Sequence, residues 1–269
     1  MKIIGLMLTW NNLEFFKCAL EQALAFCDEL ILVEGCHSKH YPRRSTDGTC
    51  EYIETIRDLP GLKVRDFNFN GKYNHVQLLI RQEFPKKSAL YEPGNWVMHW
   101  DDDMFFFNST LPKLRTAMQK AKKDSLTWLE HHFIYNFRFC TTLRDRANCH
   151  RIINGTYLSG ISTPCYPNGK RIQGEEAEGV ELFHYGFVKK PDRLKARMLM
   201  SMEKGTKASE GKYEQWMNVK WNKDTDIFKS EAFIEQIRPG DGLHIYKGKH
   251  PEIVANHPWR HIKDIRRIN

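Results

Sequence analysis

Apolar residues in the first third of the chain form short continuous runs separated by segments with helical spacing. Ile3 to Leu8 is a continuous apolar run, and apolar residues then recur at intervals of three and four from Leu13 to Leu24. Leu30 to Val33 is a second short run. This order predicts a strand, a helix and a second strand, which the right-handed crossover rule makes a parallel pair.

The same alternation continues beyond this first unit. Further strands are predicted at 62–67, 96–100, 126–139 and 180–188, and further helices around Tyr52 to Ile56, 74–84 and 110–122. Alternation of this kind is typical of a mostly parallel sheet with helices on both faces, a three-layer Rossmann-like α/β fold.

The pattern changes near residue 190. Charged helices are predicted around 191–204, 212–220 and 230–237, followed by a tail rich in glycine, proline and histidine. We therefore predict an α/β domain over residues 1–190 and a helical C-terminal extension over residues 191–269.

Composition excludes several classes of protein. Of 269 residues, 41% are hydrophobic and 28% are charged, which excludes a mainly disordered chain. The net charge of +8 indicates either an anionic partner or a solvated basic face in the last third. The seven cysteines lack zinc-site spacing, and no apolar run approaches a membrane span. These features favour a cytoplasmic enzyme.

Three consecutive carboxylates, Asp101 to Asp103, follow the apolar run 95–100. Carboxylate oxygens are ligands for hard divalent ions such as Mg²⁺, which also contact substrate phosphates. In open α/β sheets the ligand crevice lies beyond the carboxyl ends of the strands. The alternative is an acidic turn before a helix, with Asn108 or Ser109 as N-cap.

Polar residues follow other predicted strands in the same way. The first strand ends at Thr9 to Asn12, and the second ends at Glu34. Ser45 to Thr49 offers hydroxyls, a carboxylate and backbone N–H groups at a helix start. His184 lies within a late strand, where a metal ligand and a hydrogen-bonded core histidine are both open.

In these elements the sequence resembles glycosyltransferase family 2, whose members have the GT-A fold. Glu34-Gly35 with Ser45 to Thr49 is similar to the family's D-x-G-S-x-D-G-T element, although Glu replaces Asp and residues 36–44 interrupt it. Asp101 to Asp103 resembles the DxD motif, and Phe183 to Gly186 resembles the family's late histidine strand. The resemblance covers about residues 1–190.

The resemblance implies a metal-dependent hexosyltransferase that moves a sugar from a nucleoside diphosphate, a UDP-sugar, to an acceptor hydroxyl with inversion. Asp101, Asp103 and His184 would hold Mn²⁺ or Mg²⁺ as cofactor. The catalytic set is Asp103 with Glu176 as base and Glu175 beside it, while Glu178, Glu181 and Glu130 remain alternative bases. The nucleotide-sugar set comprises Thr9, Trp10, Asn11, Glu34, Asp47, Lys72, Asn74, Arg81, Asp101 and Asp102.

For Arg81 and Lys72 the alternative role is a helix-surface charge. The expected partners are the nucleotide-sugar donor and a glycan, lipid-linked or other hydroxyl acceptor, and the basic C-terminal helices permit peripheral contact with an acidic membrane. A sugar-phosphate nucleotidyltransferase is the competing enzyme class, although Thr9 to Asn12 offers no glycine-rich phosphate loop. A nucleic-acid-binding module has no supporting signature, so no nucleic acid is expected.

Overall fold

The computed structural model describes residues 1–36, 41–66, 76–143, 149–158, 164–196, 221–222, 227–228 and 243–265. The α-helices of these ranges include α1 (Leu13–Phe26), α2 (Thr49–Ile56), α3 (Val76–Glu83) and α4 (Leu111–Lys120). The strands are β1 (Ile3–Thr9), β2 (Glu29–Glu34), β3 (Leu62–Asp66), β4 (Trp96–His99), β5 (Met104–Phe105), β6 (Ser125–Ile134), β7 (Phe139–Leu143), β8 (Cys149–Arg151), β9 (Tyr157–Leu158), β10 (Pro164–Cys165), β11 (Glu175–Phe187), β12 (Trp221–Asn222), β13 (Ile227–Phe228) and β14 (His244–Ile245). Within the described ranges, no helix has the length and apolar character needed to cross a membrane.

Most of the described strands belong to one mixed sheet. Its first half has the order β4-β1-β2-β3, and all three pairings in it are parallel. Its second half adds β6 parallel to β11, together with antiparallel pairings of β8, β7, β14 and β5. The prediction of an α/β fold built on this sheet is confirmed.

Helices cover both faces of the parallel half because β1 is apolar on both sides. Ile3 and Met7 belong to the large core that includes residues of α1, α2 and α4. Ile4 and Leu6 belong to a second core that includes Ile80 of α3. This burial on both faces explains why the strand reads as a continuous apolar run.

The predicted strand at 126–139 is wrong as a single element, because the structure divides it into β6 and β7. Tyr135 has a backbone φ of 68°, which is left-handed and ends the extended run. The Asn136 side-chain oxygen then accepts hydrogen bonds from the backbone N–H groups of Arg138 and Phe139. An Asx-type turn therefore reverses the chain within an apolar sequence.

The described part of the C-terminal tail folds back on the sheet and on α1. β14 pairs with β7, and the His250 Nδ1 atom lies 2.7 Å from the Tyr185 hydroxyl. The His257 ring stacks on Phe15 with 4.0 Å between ring centroids. The chain is helical over 191–196, while the predicted helices at 212–220 and 230–237 lie outside the described residues.

Because His257 in the tail is buried, we expect the stability of the protein to depend on pH. Burial lowers the pKa of His257 to about 4, whereas an unfolded histidine has a pKa of about 6.5. Protonation therefore favours the unfolded chain, so His257 contributes stability that is present above pH 6.5 and is lost as the pH falls toward 4.

His257→Phe keeps an aromatic ring on Phe15 but removes this titration. We expect the urea midpoint to fall less between pH 7.5 and pH 5 in the variant than in the wild type. For each protein, the urea midpoint at pH 7.5 is compared with the midpoint of the same protein at pH 5. This is needed because the variant also loses the hydrogen bond from the Trp259 N–H to His257 Nδ1. Equal falls in the two proteins would contradict the prediction.

Candidate functional site

The carboxylate triplet and the end of β1 meet at one edge of the sheet, because β4 and β1 are parallel neighbours. The Thr9 hydroxyl donates a 2.7 Å hydrogen bond to Asp102 Oδ2, and Asn12 Nδ2 donates to the Asp102 carbonyl at 3.3 Å. Burial raises the pKa of the Asp102 carboxyl to about 6, against the opposing effect of Lys189. Asp102 is thus a buried residue that joins the two strand ends.

Asp101 has a different environment. Its carboxylate accepts a 2.6 Å ion-paired hydrogen bond from the Arg81 guanidinium. The Asp101 side chain is 30% exposed and that of Arg81 is 8% exposed, so the carboxylate lies at the surface edge of the pair. The structure therefore brings two predicted donor-binding residues together across 20 positions of sequence.

Asp103 is buried and contacts two cationic or basic side chains. Lys189 Nζ donates to Asp103 Oδ2 at 2.6 Å and to Asn12 Oδ1 at 3.3 Å. His184 Nε2 lies 3.0 Å from Asp103 Oδ1. The antiparallel pairing of β5 with β11, which sets Met104 opposite His184, places these groups side by side.

A second buried carboxylate lies behind His184. Glu130 Oε1 is 2.7 Å from His184 Nδ1 and 3.3 Å from His132 Nδ1. Glu130 and His132 are two residues apart on β6, and His132 is the register partner of His184 on β11. We refer to Asp103, Glu130, His132, His184 and Lys189 as the Asp103 cluster.

The two carboxylates determine the electrostatics of His184. Burial alone lowers the pKa of this imidazole, but Asp103 and Glu130 outweigh burial and raise the pKa above its ordinary value. The positive charge of Lys189 also lowers the pKa of the neighbouring Asp102 carboxyl, against the larger effect of burial. The cluster therefore compensates its buried charges internally, as burial of charged groups requires.

The cluster contains ligand types that divalent cations use, and Glu130, His132 and His184 form a group that could hold a metal ion. Among the described residues, His184 Nε2 is a buried atom without a hydrogen bond of acceptable geometry, although it faces Asp103 Oδ1. A lone-pair nitrogen and a carboxylate oxygen repel each other at 3.0 Å unless a proton or a cation lies between them. An imidazole and carboxylates suit Mn²⁺, and imidazole suits Mg²⁺ less well.

A second set of hydrogen bonds organises the β2 side of the crevice. Glu34 Oε1 accepts from both the N–H and the hydroxyl of Ser45, each at 2.8 Å. The Asn11 N–H donates to Ser45 Oγ, and the Thr46 N–H donates to Asn11 Oδ1. Asn11 has a φ of 48°, a conformation that asparagine tolerates better than most residues. The interruption at 36–44 therefore does not separate Ser45 from Glu34.

Other predicted donor-binding residues have structural contacts. Asp47 accepts hydrogen bonds from the N–H groups of Leu13 and Thr49, at the starts of α1 and α2. Trp10 is buried, and the Arg193 guanidinium lies 4.9 Å from its ring centroid. Lys72 and Asn74 lie outside the described residues.

Glu175 and Glu176 are not brought to the Asp103 cluster. They pair with Leu126 and Thr127 of β6, whereas His184 pairs with His132. Leu126 is six residue steps from His132 and Thr127 is five, so about 20 Å and about 16 Å separate Glu175 and Glu176 from His184 at ~3.3 Å per residue. Glu175 accepts hydrogen bonds from the backbone N–H groups of Lys122 and Lys123. This position gives no support to the base role predicted for Glu176.

Lys189 and His132 were not predicted as site residues, whereas Glu130 was predicted only as an alternative base and Asn12 only as part of the polar end of the first strand. Lys189 reads as surface charge beside Lys190, yet it is 3% exposed. Glu130 and His132 alternate with His131 on a strand, so they share one face. That alternation was a usable signal, but the register that pairs β6 with β11 is not visible in the sequence.

No family model matches the sequence, and no curated protein matches it. Two solved structures of Staphylococcus aureus TarS are similar to the chain. The structure of TarS 1–349 has 16% identity and a TM-score of 0.44, with 76% of this chain and 65% of that chain covered. The second TarS structure has 15% identity, a TM-score of 0.43 and coverage of 76% and 39%. The chain thus spans less than two thirds of either TarS chain, and this similarity assigns it no function.

Proposed function

We propose that the chain is a metal-dependent glycosyltransferase of the GT-A type, which transfers a sugar from a UDP-sugar to an acceptor hydroxyl with inversion. The observation that carries the proposal is the meeting of Thr9, Asn12 and the carboxylate triplet at the carboxyl ends of β1 and β4.

This meeting point is where the topology of the sheet reverses. The chain proceeds from β1 to β2 and β3 on one side, and it returns to place β4 on the other side of β1. Open α/β sheets bind their ligands in the crevice outside such a switch point. The nucleotide is therefore expected above β1, between the Glu34–Ser45 hydrogen bonds and the Asp101–Arg81 ion pair.

Charge favours a diphosphate in this crevice. Arg81 is held by Asp101 with its side chain largely buried, and a guanidinium presents a planar fork of donors that matches phosphate oxygens. Lys189 adds a second buried cation beside Asp103. Arg81 would bind and orient the leaving diphosphate, while Lys189 adds positive charge next to the triplet through its contact with Asp103.

Asp103 and His184 would hold the divalent ion, with Asp101 reaching it or the ribose. When bound, Mn²⁺ or Mg²⁺ supplies positive charge that stabilises the departing diphosphate. Thr9 and Asn12 hold the backbone and carboxylate of Asp102, so that its two neighbours keep their direction. The proposed acceptor is a hydroxyl group of a glycan, a lipid-linked intermediate or another compound.

The experiment is a screen of nucleotide sugars with and without Mn²⁺. We expect release of a free nucleoside diphosphate from one donor class, with UDP-sugars first, and a strong increase on addition of Mn²⁺. A sugar-phosphate nucleotidyltransferase would instead release pyrophosphate from a nucleoside triphosphate and a sugar phosphate. Pyrophosphate release, or no turnover of any nucleotide sugar, would contradict the proposal.

A further inference from the structure

Glu130 is a carboxylate in the middle of the sheet with no exposed surface. Placing a charged group there is costly, and such a group is retained where it serves specific neighbours. Its contacts include His184 Nδ1 at 2.7 Å and His132 Nδ1 at 3.3 Å. The nearer contact has the length of a charge-assisted hydrogen bond.

The contact made by His184 Nδ1 determines what its other nitrogen can do. If Nδ1 carries the proton that is donated to Glu130, Nε2 of a neutral ring keeps a lone pair. Nε2 is the atom that lies 3.0 Å from Asp103 Oδ1. Metal-binding histidines usually donate their second ring N–H to a carboxylate in this way, which fixes the tautomer and raises the basicity of the ligand.

We propose that Glu130 is a positioning residue for metal binding, which holds His184 with its Nε2 lone pair directed at Asp103. This inference rests on the proposed function, because it assigns the ion to Asp103 and His184. His132 packs against the His184 ring, with 4.2 Å between centroids, and shares Glu130. It keeps the imidazole plane in place from the β6 side.

A competing arrangement exists in the same residues. Ligand atoms of Glu130, His132 and His184 all lie within 4.8 Å of one another, so the three side chains themselves could surround an ion. The 2.7 Å separation of Glu130 Oε1 and His184 Nδ1 favours a hydrogen bond between them. In that case Glu130 acts through His184.

The first test measures direct Mn²⁺ binding in the presence of UDP. The electron paramagnetic resonance signal of free Mn²⁺ is the readout. We expect Glu130→Gln to raise the dissociation constant about 10- to 100-fold, the usual effect of losing an outer-shell partner. Glu181→Gln is the matched control, because Glu181 lies 3.0 Å from His131 Nε2 on the same pair of strands. The control should leave the constant unchanged.

A Glu130→Gln constant within twofold of the wild type would overturn the inference. Loss of all Mn²⁺ binding in both Glu130→Gln and His132→Asn would make these residues direct ligands, which also overturns it. Absence of Mn²⁺ binding by the wild type would do the same. A separate titration measures the affinity of the protein for UDP without metal. This affinity reports on the proposed function independently of metal binding.

The second test needs no variant, so it stands even if the buried substitutions prevent folding. Nitrogen-15 chemical shifts of His184 are measured in the wild-type protein with diamagnetic Mg²⁺ and UDP. We expect the proton on Nδ1 and a metal-coordinated or lone-pair Nε2. The spectra are recorded at alkaline pH, where the ring is neutral despite the pKa that Asp103 and Glu130 raise. A neutral ring with its proton on Nε2 would overturn the inference.

Discussion

Replacing Asp103 with asparagine is expected to reduce donor turnover on the order of 1000-fold. The substitution removes a negative oxygen that faces His184 Nε2 and Lys189 Nζ. Several kcal/mol of charge stabilisation at the leaving diphosphate would be lost, and each 1.36 kcal/mol is a factor of ten in rate. The measurement is release of free UDP from the donor across a range of Mn²⁺ concentrations.

The same substitution affects folding through Lys189. The Lys189 side chain is 4% exposed, and Asp103 provides its 2.6 Å partner. Removing one member of a buried ion pair costs about 3–5 kcal/mol, because the other charge stays buried without compensation. We therefore expect a lower urea midpoint in Asp103→Asn.

A double variant separates the two effects. Asp103→Asn with Lys189→Met removes both charges, so it should recover most of the lost stability without recovering turnover. Recovery of turnover together with stability would mean that Asp103 has only a structural role. Unchanged Mn²⁺ dependence in the single variant would show that the metal assignment is wrong.

Replacing Arg81 with glutamine is expected to lower kcat/KM for the donor about 30- to 100-fold, mainly through a higher KM. A hydrogen bond to a charged group contributes ~1.5–3 kcal/mol, and the substrate diphosphate would lose such contacts. Arg81→Lys should recover only part of the loss, because an ammonium lacks the planar fork of donors. Steady-state kinetics with varied donor concentration measure both parameters.

The matched control for Arg81 is Arg57. Arg57 also forms a 2.8 Å ion pair, with Glu54 of α2, but its side chain is 38% exposed. Arg57→Gln should leave both kinetic parameters unchanged, as expected for a surface pair. A KM in Arg81→Gln equal to that of the wild type would contradict a role in donor binding.

Local patterns predicted the parallel half of the sheet well because its strands and helices are consecutive in the chain. β1, α1 and β2 each have a distinct hydrophobic period, and their packing requires only a short crossover. β5 was not predicted, since two residues show no period. The turn at Tyr135 was missed because its backbone conformation depends on Asn136 and not on a glycine or proline.

The residues of the candidate site also fall into a group that the sequence places and a group that it does not. Thr9 and Asp101 to Asp103 stand at strand ends, so the fold class alone places them at the crevice. Glu130 and Lys189 belong to the site through the pairing of β6 with β11 and of β11 with β5, which joins distant parts of the chain. A strand's period shows which residues share a face, but it does not name the partner strand or the register.

Titration of UDP into the wild-type protein, with and without Mn²⁺, measures whether the crevice binds the nucleotide of the proposed donor. We expect saturable binding of one UDP per chain, which Mn²⁺ strengthens by about tenfold or more, equivalent to ~1.4 kcal/mol. We also expect Asp103→Asn to remove this strengthening. Failure of the wild-type protein to bind UDP or any other nucleoside diphosphate, in either condition, would contradict the proposed function.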